Sequence, residues 1–243
     1  MIRPVLVLTA LLVSSVFGAL PVPAAPPSIQ PEPAATPETT KLSGQVQDGI
    51  YRAPSGAYAV PMPVLHGDAA VIMDTDTVVV FKDKRSVLLT IAAFPMPAIA
   101  QWEFEAQGPR DYLIAFFRDN ILRDYTSAFP ESRVENVKFI PDYNGGTLLI
   151  YTLMPGGSAF DHDPAAVAQE GYAPAVAKRG HLVFVKDKLV FVLAIELAER
   201  VTKQSQSSLS SIEEDRILLD RLVTVITALQ IPASPAATPA PAP

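Results

Sequence analysis

Closely spaced turns between apolar segments constrain this chain more than any other feature of its sequence. PSG at 54–56, DTD at 74–76 and NGG at 144–146 each separate two β-strand patterns, and a tight turn near 187–188 separates a fourth pair. Gly, Asn and Asp at such positions favour short turns, which connect antiparallel strands. A doubly wound parallel sheet needs a long crossover after each strand, so this spacing excludes it.

The patterns predict an α+β domain built on one antiparallel sheet of about seven to nine strands, with helices packed on it. The last three strands are nearly continuous apolar runs, which is typical of central strands covered on both faces. Helices are predicted at 109–127, where apolar residues share one face, and at 212–230, where Ser211 and Glu214 have capping-box spacing. The nine predicted strands are 49–53, 57–63, 69–73, 77–82, 86–94, 134–140, 147–154, 181–186 and 189–197.

Two shorter patterns receive a structural interpretation. Glu103 and Glu105 alternate around Phe104 beside Trp102, and we interpret this segment as an exposed strand edge or a loop. Lys-Asp-Lys occurs between apolar strands both at 82–84 and at 186–188, which indicates two hairpins with similar turn chemistry.

Proline marks the ends of the predicted domain. Of 24 prolines, eight fall in residues 1–42 and five in 232–243. Such Pro/Ala-rich composition cannot bury enough apolar surface to offset the entropy of ordering. We therefore interpret 25–42 as a linker, 43–231 as the globular domain and 232–243 as a disordered tail.

The first 24 residues have the layout of a signal peptide. A positive start at Met1-Ile2-Arg3 is followed by an apolar run to Phe17 and by small residues around Gly18 and Ala24. This predicts export to the periplasm or the medium, with no integral membrane span once the signal is cleaved. Retention of the segment as an anchor is the alternative, because the sequence does not settle whether it is cleaved.

Composition excludes several classes of function. The chain has no cysteine, which rules out disulfides, thiolate catalysis and lipid anchoring through cysteine. Its net charge is −6 and it has no run of Lys or Arg, so a nucleic-acid partner is not expected. No nucleophile elbow, phosphate-binding loop or zinc-protease motif occurs, and we predict no catalytic residue, no metal and no cofactor.

The long loop at 155–178 is the segment where function is most expected, since loops of this length in compact domains usually have a role. Phe160 and Tyr172 stand among small residues, and His162 lies between two aspartates. A metal is one interpretation of that triplet; the other is that Asp163 caps a short helix starting at Pro164. We predict ligand or partner contact at Phe160, His162, Tyr172 and His181, the last of which follows Lys178 and Arg179.

The order of elements resembles the PsbP-like superfamily of exported proteins. The resemblance rests on YRAPSGAY at 51–58, the hairpin around 82–84, the helix at 110–125, the later strand pair and the closing helix. It implies an α/β/α sandwich and an accessory or binding role rather than an enzyme, and it transfers no functional residue. The expected function is therefore that of an exported, non-catalytic accessory or binding protein of the cell envelope. Its partner is an envelope protein or a small ligand that the sequence does not identify. The alternative is an exported small-molecule-binding or hydrolytic protein that uses the 155–178 loop.

Overall fold

The computed structural model of this protein describes residues 42–66, 70–160, 174–202 and 209–232. The predicted signal peptide, residues 25–41 of the predicted linker and residues 233–243 of the predicted tail lie outside this range, as do His162 and Tyr172. Within the described residues, no helix combines the length and the apolar character that a membrane span requires.

The strands of the described residues form two antiparallel sheets. All nine predicted strands are present, and Gln45–Gln47 adds one that the sequence pattern did not predict. The small sheet contains β1 (Gln45–Gln47), β2 (Ile50–Arg52) and β3 (Ala59–Pro61). The large sheet has the spatial order β4-β5-β6-β10-β9-β8-β7, with β4 (Val71–Asp74), β5 (Val78–Lys82), β6 (Leu88–Pro95), β7 (Arg133–Ile140), β8 (Thr147–Pro155), β9 (Val176–Lys186) and β10 (Leu189–Glu196).

The large sheet is the middle layer of a three-layer arrangement. On one face lie the small sheet and the C-terminal helix α4 (Ser211–Ala228); on the other lies the helical segment between β6 and β7. The three strands β8, β9 and β10 are interior and buried on both faces, as their apolar runs predicted. The α+β fold class is confirmed, with a separate three-stranded sheet added to a seven-stranded one.

Strand β9 begins five residues earlier than predicted, at Val176 instead of His181. The additional residues include Lys178 and Arg179, whose charges are typical of a loop. They are accommodated in the strand because both cations are paired with carboxylates. Gly180 also lies here, and a Cβ at its position would come within 3.1 Å of Leu218 and Leu222 of α4. Its missing side chain therefore lets α4 approach the sheet closely.

The helical segment on the opposite face contains α1 (Ala98–Phe116), a π-helical turn (Phe117–Leu122) and α2 (Arg123–Ala128). Buried side chains recur at every fourth residue, at Leu113, Phe117, Ile121 and Tyr125. In a regular α-helix, positions four apart drift by about 40° around the axis, at about 100° per residue. The wider π turn offsets this drift and keeps the four side chains on the sheet.

Helix α1 begins at Ala98, well before the predicted start at 109. The interpretation of Trp102–Glu105 as a strand edge or loop is wrong, because this segment is helical. The alternation of Glu103, Phe104 and Glu105 has the period of a strand, and it concealed the helical spacing of Ala100 and Phe104, which pack on the core. Gly108, with φ 79°, interrupts the helix, and Pro109 restarts it.

The two Lys-Asp-Lys sequences form different turns, contrary to the prediction of similar turn chemistry. Asp187 and Lys188 make a tight two-residue turn, with φ of 49° and 61°. Asp83 is instead fully buried in a longer turn, where backbone N–H groups of the next residues donate to it. Their N···O distances are 2.8 Å for Arg85, 2.7 Å for Ser86 and 2.9 Å for Val87. A fourth donor is the backbone N–H of His66, at 3.0 Å.

Replacing Asp83 with Asn should lower the free energy of unfolding by about 1–3 kcal/mol, because an amide replaces a carboxylate that serves several buried donors. Burial raises the pKa of Asp83, but the four backbone donors outweigh it and hold the pKa below its ordinary value. The carboxylate therefore contributes stability above about pH 4, which is lost as the pH falls. Urea titrations of wild type and D83N from pH 7 to pH 3 measure both effects.

The matched control is Asp187→Asn in the second Lys-Asp-Lys sequence. This aspartate is exposed, and Asn tolerates positive φ equally well, so we expect no loss of stability. Equal losses in the two variants would show that the buried turn at Asp83 has no special role.

Candidate functional site

The base of the predicted functional loop is held by one buried carboxylate. Glu196, at the end of β10, accepts hydrogen bonds from Ser158 Oγ at 2.6 Å, the Ala159 backbone N–H at 3.0 Å and Arg179 Nε at 3.0 Å. Arg179 also donates from Nη2 to the Gly157 carbonyl at 3.1 Å. We call Gly157, Ser158, Ala159, Arg179 and Glu196 the loop base. It fastens residues 157–159 to the end of the sheet.

Two of the four predicted contact residues lie within the described structure. Phe160 is partly buried beside the loop base, and its backbone N–H donates to Ser158 Oγ at 3.0 Å. His181 is fully buried on β9, with Nε2 3.1 Å from the Tyr125 hydroxyl and its ring edge-on to Phe117. His181 therefore lies inside the domain, beneath the helices, and not at the surface where a partner contact was expected. His181 is the middle residue of β9, and Phe160 follows the end of β8, so the structure does not bring the two into one exposed site.

Burial lowers the pKa of His181 to about 3, and the neighbouring positive charge of Arg179 contributes to this shift. The imidazole is therefore neutral at physiological pH. We expect its ring resonances in an NMR titration to stay unchanged from pH 8 to pH 4.5. In the unfolded chain a histidine titrates near pH 6.5, so below that pH the unfolded state gains a proton that buried His181 does not accept. The free energy of unfolding therefore decreases progressively as the pH falls below about 6.5. Titration of His181 near pH 6.5 in the folded protein would contradict its burial.

A second group of buried charges lies on the opposite face of β9. Lys178 Nζ is fully buried and lies 2.6 Å from carboxylate oxygens of Glu135 and Asp215 and 3.3 Å from Glu214. Arg200 Nη1 is 2.6 Å from Glu214. We call these five residues the charge cluster. It links the edge strand β7, strand β9, the short helix α3 (Glu199–Thr202) and the start of α4.

The charge cluster keeps its lysine protonated. Burial lowers the pKa of Lys178, but Asp215 and Glu135 outweigh burial and raise it above its ordinary value. Its ammonium is thus a fixed cation and not a nucleophile, which would need a lowered pKa. In the sequence, Lys178 stands out only as a neighbour of His181. Its partners stand 36 and more residues away in sequence, so no local pattern indicated the cluster.

The polar side chains around the loop base bind partners within the domain. Ser158 donates its hydroxyl proton directly to Glu196, and His181 is bonded to Tyr125 instead of to a serine. Among the described residues, no three His, Asp or Glu side chains converge as a metal site. Ser158 is therefore paired with Glu196, and His181 with Tyr125.

The outer side of α1 presents apolar side chains to solvent. Trp102 is 64% exposed and Ile99 is 63% exposed, and the small residues Ala98 and Ala106 beside them are exposed too. We call these four residues the α1 patch. On the inner side of the same helix, Phe104 packs edge-on against Tyr112 with ring centroids 5.4 Å apart. Helical periodicity applied from residue 98 would have indicated this patch, but the segment was interpreted as non-helical.

A shallow pocket of about 330 Å³ lies at the other end of the sheets from the loop base. Turn residues such as Ser55, Asp76 and Asp187 line it together with Ile231 and Pro232. Both aspartates are exposed to water, so a group bound in this pocket would stay largely in contact with solvent.

Comparison with known proteins finds no matching family model and no matching curated protein. Among solved structures, the PsbP protein of the cyanobacterium Synechocystis sp. PCC 6803 aligns with 83% of this chain and 100% of its own, at 12% identity and a TM-score of 0.46. The Ran-binding protein Mog1p of Saccharomyces cerevisiae aligns with 75% of this chain and 94% of its own, at 9% identity and a TM-score of 0.40. A Bacteroides thetaiotaomicron protein aligns with 80% of this chain and 52% of its own, at 11% identity and a TM-score of 0.33. The weak PsbP-like resemblance is confirmed, and it says nothing about function.

Proposed function

We propose that this protein is an exported, non-catalytic accessory protein of the cell envelope that works by binding another protein. The observation that supports this most is the exposure of Trp102 and Ile99, one helical turn apart on α1. Tryptophan contributes more binding energy at protein interfaces than most residues do, and it is seldom left largely exposed without a role.

The polar interior supports the same proposal. Glu196, Arg179 and Lys178 are bound to partners within the domain, and their contacts fasten strands, helices and the loop base together. Such a network provides a rigid scaffold for surface contact. Reaction chemistry would instead require groups that are free to exchange protons with a substrate.

Export is the part of the proposal that rests on sequence. The layout of residues 1–24 supports a signal peptide, and the absence of cysteine is compatible with an oxidising compartment. We expect the full-length protein to be found in the periplasm or the medium of its own host, with the N-terminus of the mature chain near residue 25.

Cell fractionation followed by gentle crosslinking and affinity purification tests the proposal. The full chain with a C-terminal tag should be recovered from the envelope fraction with one reproducible protein in stoichiometric amount. Recovery as a monomer with no partner under the same crosslinking, or retention in the cytoplasm, would contradict it.

A further inference from the structure

The first half of α1 has an apolar stripe along its outer side. If Trp102 is placed at 0° and each residue advances by about 100°, Ala98 lies near −40°, Ala106 near 40° and Ile99 near 60°. All four α1 patch residues are exposed. Ala100 and Phe104 fall on the opposite side, near 160° and −160°, where they pack on the core.

A carboxylate borders this stripe on each side. On the same scale, Glu105 lies near −60° and Glu103 near 100°. They are the charged residues of segment 98–107, which contains no Lys or Arg. Within the described structure, neither is paired with a cation. The negative charge of Glu103 contributes, after burial, to the raised pKa of Tyr112. The patch is therefore an apolar stripe between two negative margins.

The segment that carries the patch is fixed in position before any partner arrives. Gln101 Nε2 donates to the Met96 carbonyl at 2.7 Å, and Phe104 is held by Tyr112. The helix is kinked at Gly108, so the segment that carries the patch and the second half of α1 have different axes. A helix ordered in advance loses less entropy on binding than a flexible segment does.

We infer that the α1 patch docks, as a helix, into an apolar groove of a partner protein whose walls carry Lys or Arg. This inference rests on the proposed function and specifies its surface and its partner. Charge complementarity selects this occupant over two others. A second copy facing the patch symmetrically would place Glu103 and Glu105 against each other, and an anionic membrane would repel the same carboxylates.

Photo-crosslinking of the full-length chain in its host tests the inference. Benzoylphenylalanine is placed at Ala106, inside the patch, and in a matched control chain at Ile212, which is 81% exposed on α4, on the other face of the sheet. We expect position 106 to crosslink to one protein, with the attached peptide apolar and flanked by Lys or Arg, and position 212 to give no such product.

Variants of the same chain then measure each part of the surface by binding to that partner after its purification. Trp102→Ala should weaken the affinity by about 30-fold or more, as expected for an interface hot spot. The double variant Glu103→Lys, Glu105→Lys should weaken the affinity by about 10-fold. Added salt should weaken the binding of wild type, and it should weaken the binding of E103Q/E105Q less. All variants should keep the wild-type thermal unfolding midpoint, because Trp102 and Glu105 are exposed and Glu103 is only partly buried and pairs with no cation among the described residues.

The remaining outcomes overturn the inference and are distinguishable from each other. A partner crosslinked from position 212 but not from 106, or bound equally by W102A, would place the interface elsewhere and leave the proposed function standing. Crosslinks from position 106 to lipid or to a second copy would assign the patch to the wrong occupant. Absence of a protein partner at either position and in the affinity purification would overturn both proposals.

Discussion

Replacing Lys178 with Met should lower the free energy of unfolding by about 3–5 kcal/mol, because it removes one partner of a buried ion-pair group. The ammonium is fully buried and faces three carboxylates, of which Glu135 and Asp215 lie 2.6 Å away. Methionine has a similar length and no charge, so the carboxylates would remain partly buried without their cation. Urea denaturation at pH 7 measures the loss.

The pH dependence of this loss provides a second measurement. Burial raises the pKa of Glu135, but its hydrogen bonds from Lys178 and Ser211 outweigh burial and lower it. Its contribution to stability is therefore complete above the ordinary pKa of a glutamate and is lost as the pH falls. The difference between wild type and K178M should be largest at neutral pH and should narrow on acidification.

Arg118→Met is the matched control for the charge cluster. Arg118 pairs with Asp119 at 2.7 Å, but the two side chains are 65% and 57% exposed. Water screens such a pair, so its removal should leave stability unchanged. A K178M protein as stable as R118M would show that the charge cluster does not hold β7, β9 and α4 together.

Replacing Glu196 with Leu should cost a similar amount, about 3–5 kcal/mol. The fully buried carboxylate neutralises Arg179, whose side chain is 15% exposed, and accepts hydrogen bonds from Ser158 and Ala159. Its loss therefore leaves a largely buried cation and two unpaired donors. Besides the loss in urea denaturation, hydrogen exchange at the Ala159 amide should accelerate, because that N–H donates to Glu196.

The control for the loop base is Glu199→Leu. Glu199 pairs with Arg221, and these side chains are 28% and 36% exposed, so the expected loss is about 1 kcal/mol or less. If E196L exchanges its Ala159 amide no faster than E199L does, the loop base is not anchored through Glu196.

The strand pattern was predictable because it is local. Turn residues and apolar runs indicated nine strands, and the uninterrupted apolar runs of β8 and β10 identified interior strands before any pairing was known. The closing helix was placed almost correctly. Its capping box uses Ser210 and Glu213, one residue before the predicted pair.

The errors arose where a local pattern had two interpretations. The alternation around Phe104 has the period of a strand, yet Ala100 and Phe104 are partly buried with the period of a helix. Lys-Asp-Lys occurs twice, but only the structure distinguishes the buried Asp83 from the exposed turn at Asp187. A tripeptide does not determine its own burial.

The candidate site was the least predictable part because its contacts join distant segments. His181 attracted attention as a histidine beside charged residues, and its partner is Tyr125, 56 residues earlier. Glu196 was not singled out at all, since a glutamate at the end of an apolar strand suggests the return to solvent. Both belong to the interior.

The proposed role therefore depends on the surface of α1, with the buried network serving as its support. The most direct measurement is affinity purification of the tagged full chain from its own host, with wild type, I99A/W102A and I212A compared side by side. Wild type and I212A should recover the same envelope protein, and I99A/W102A should lose it while remaining folded. Equal recovery by all three chains, or recovery by none, would contradict the account.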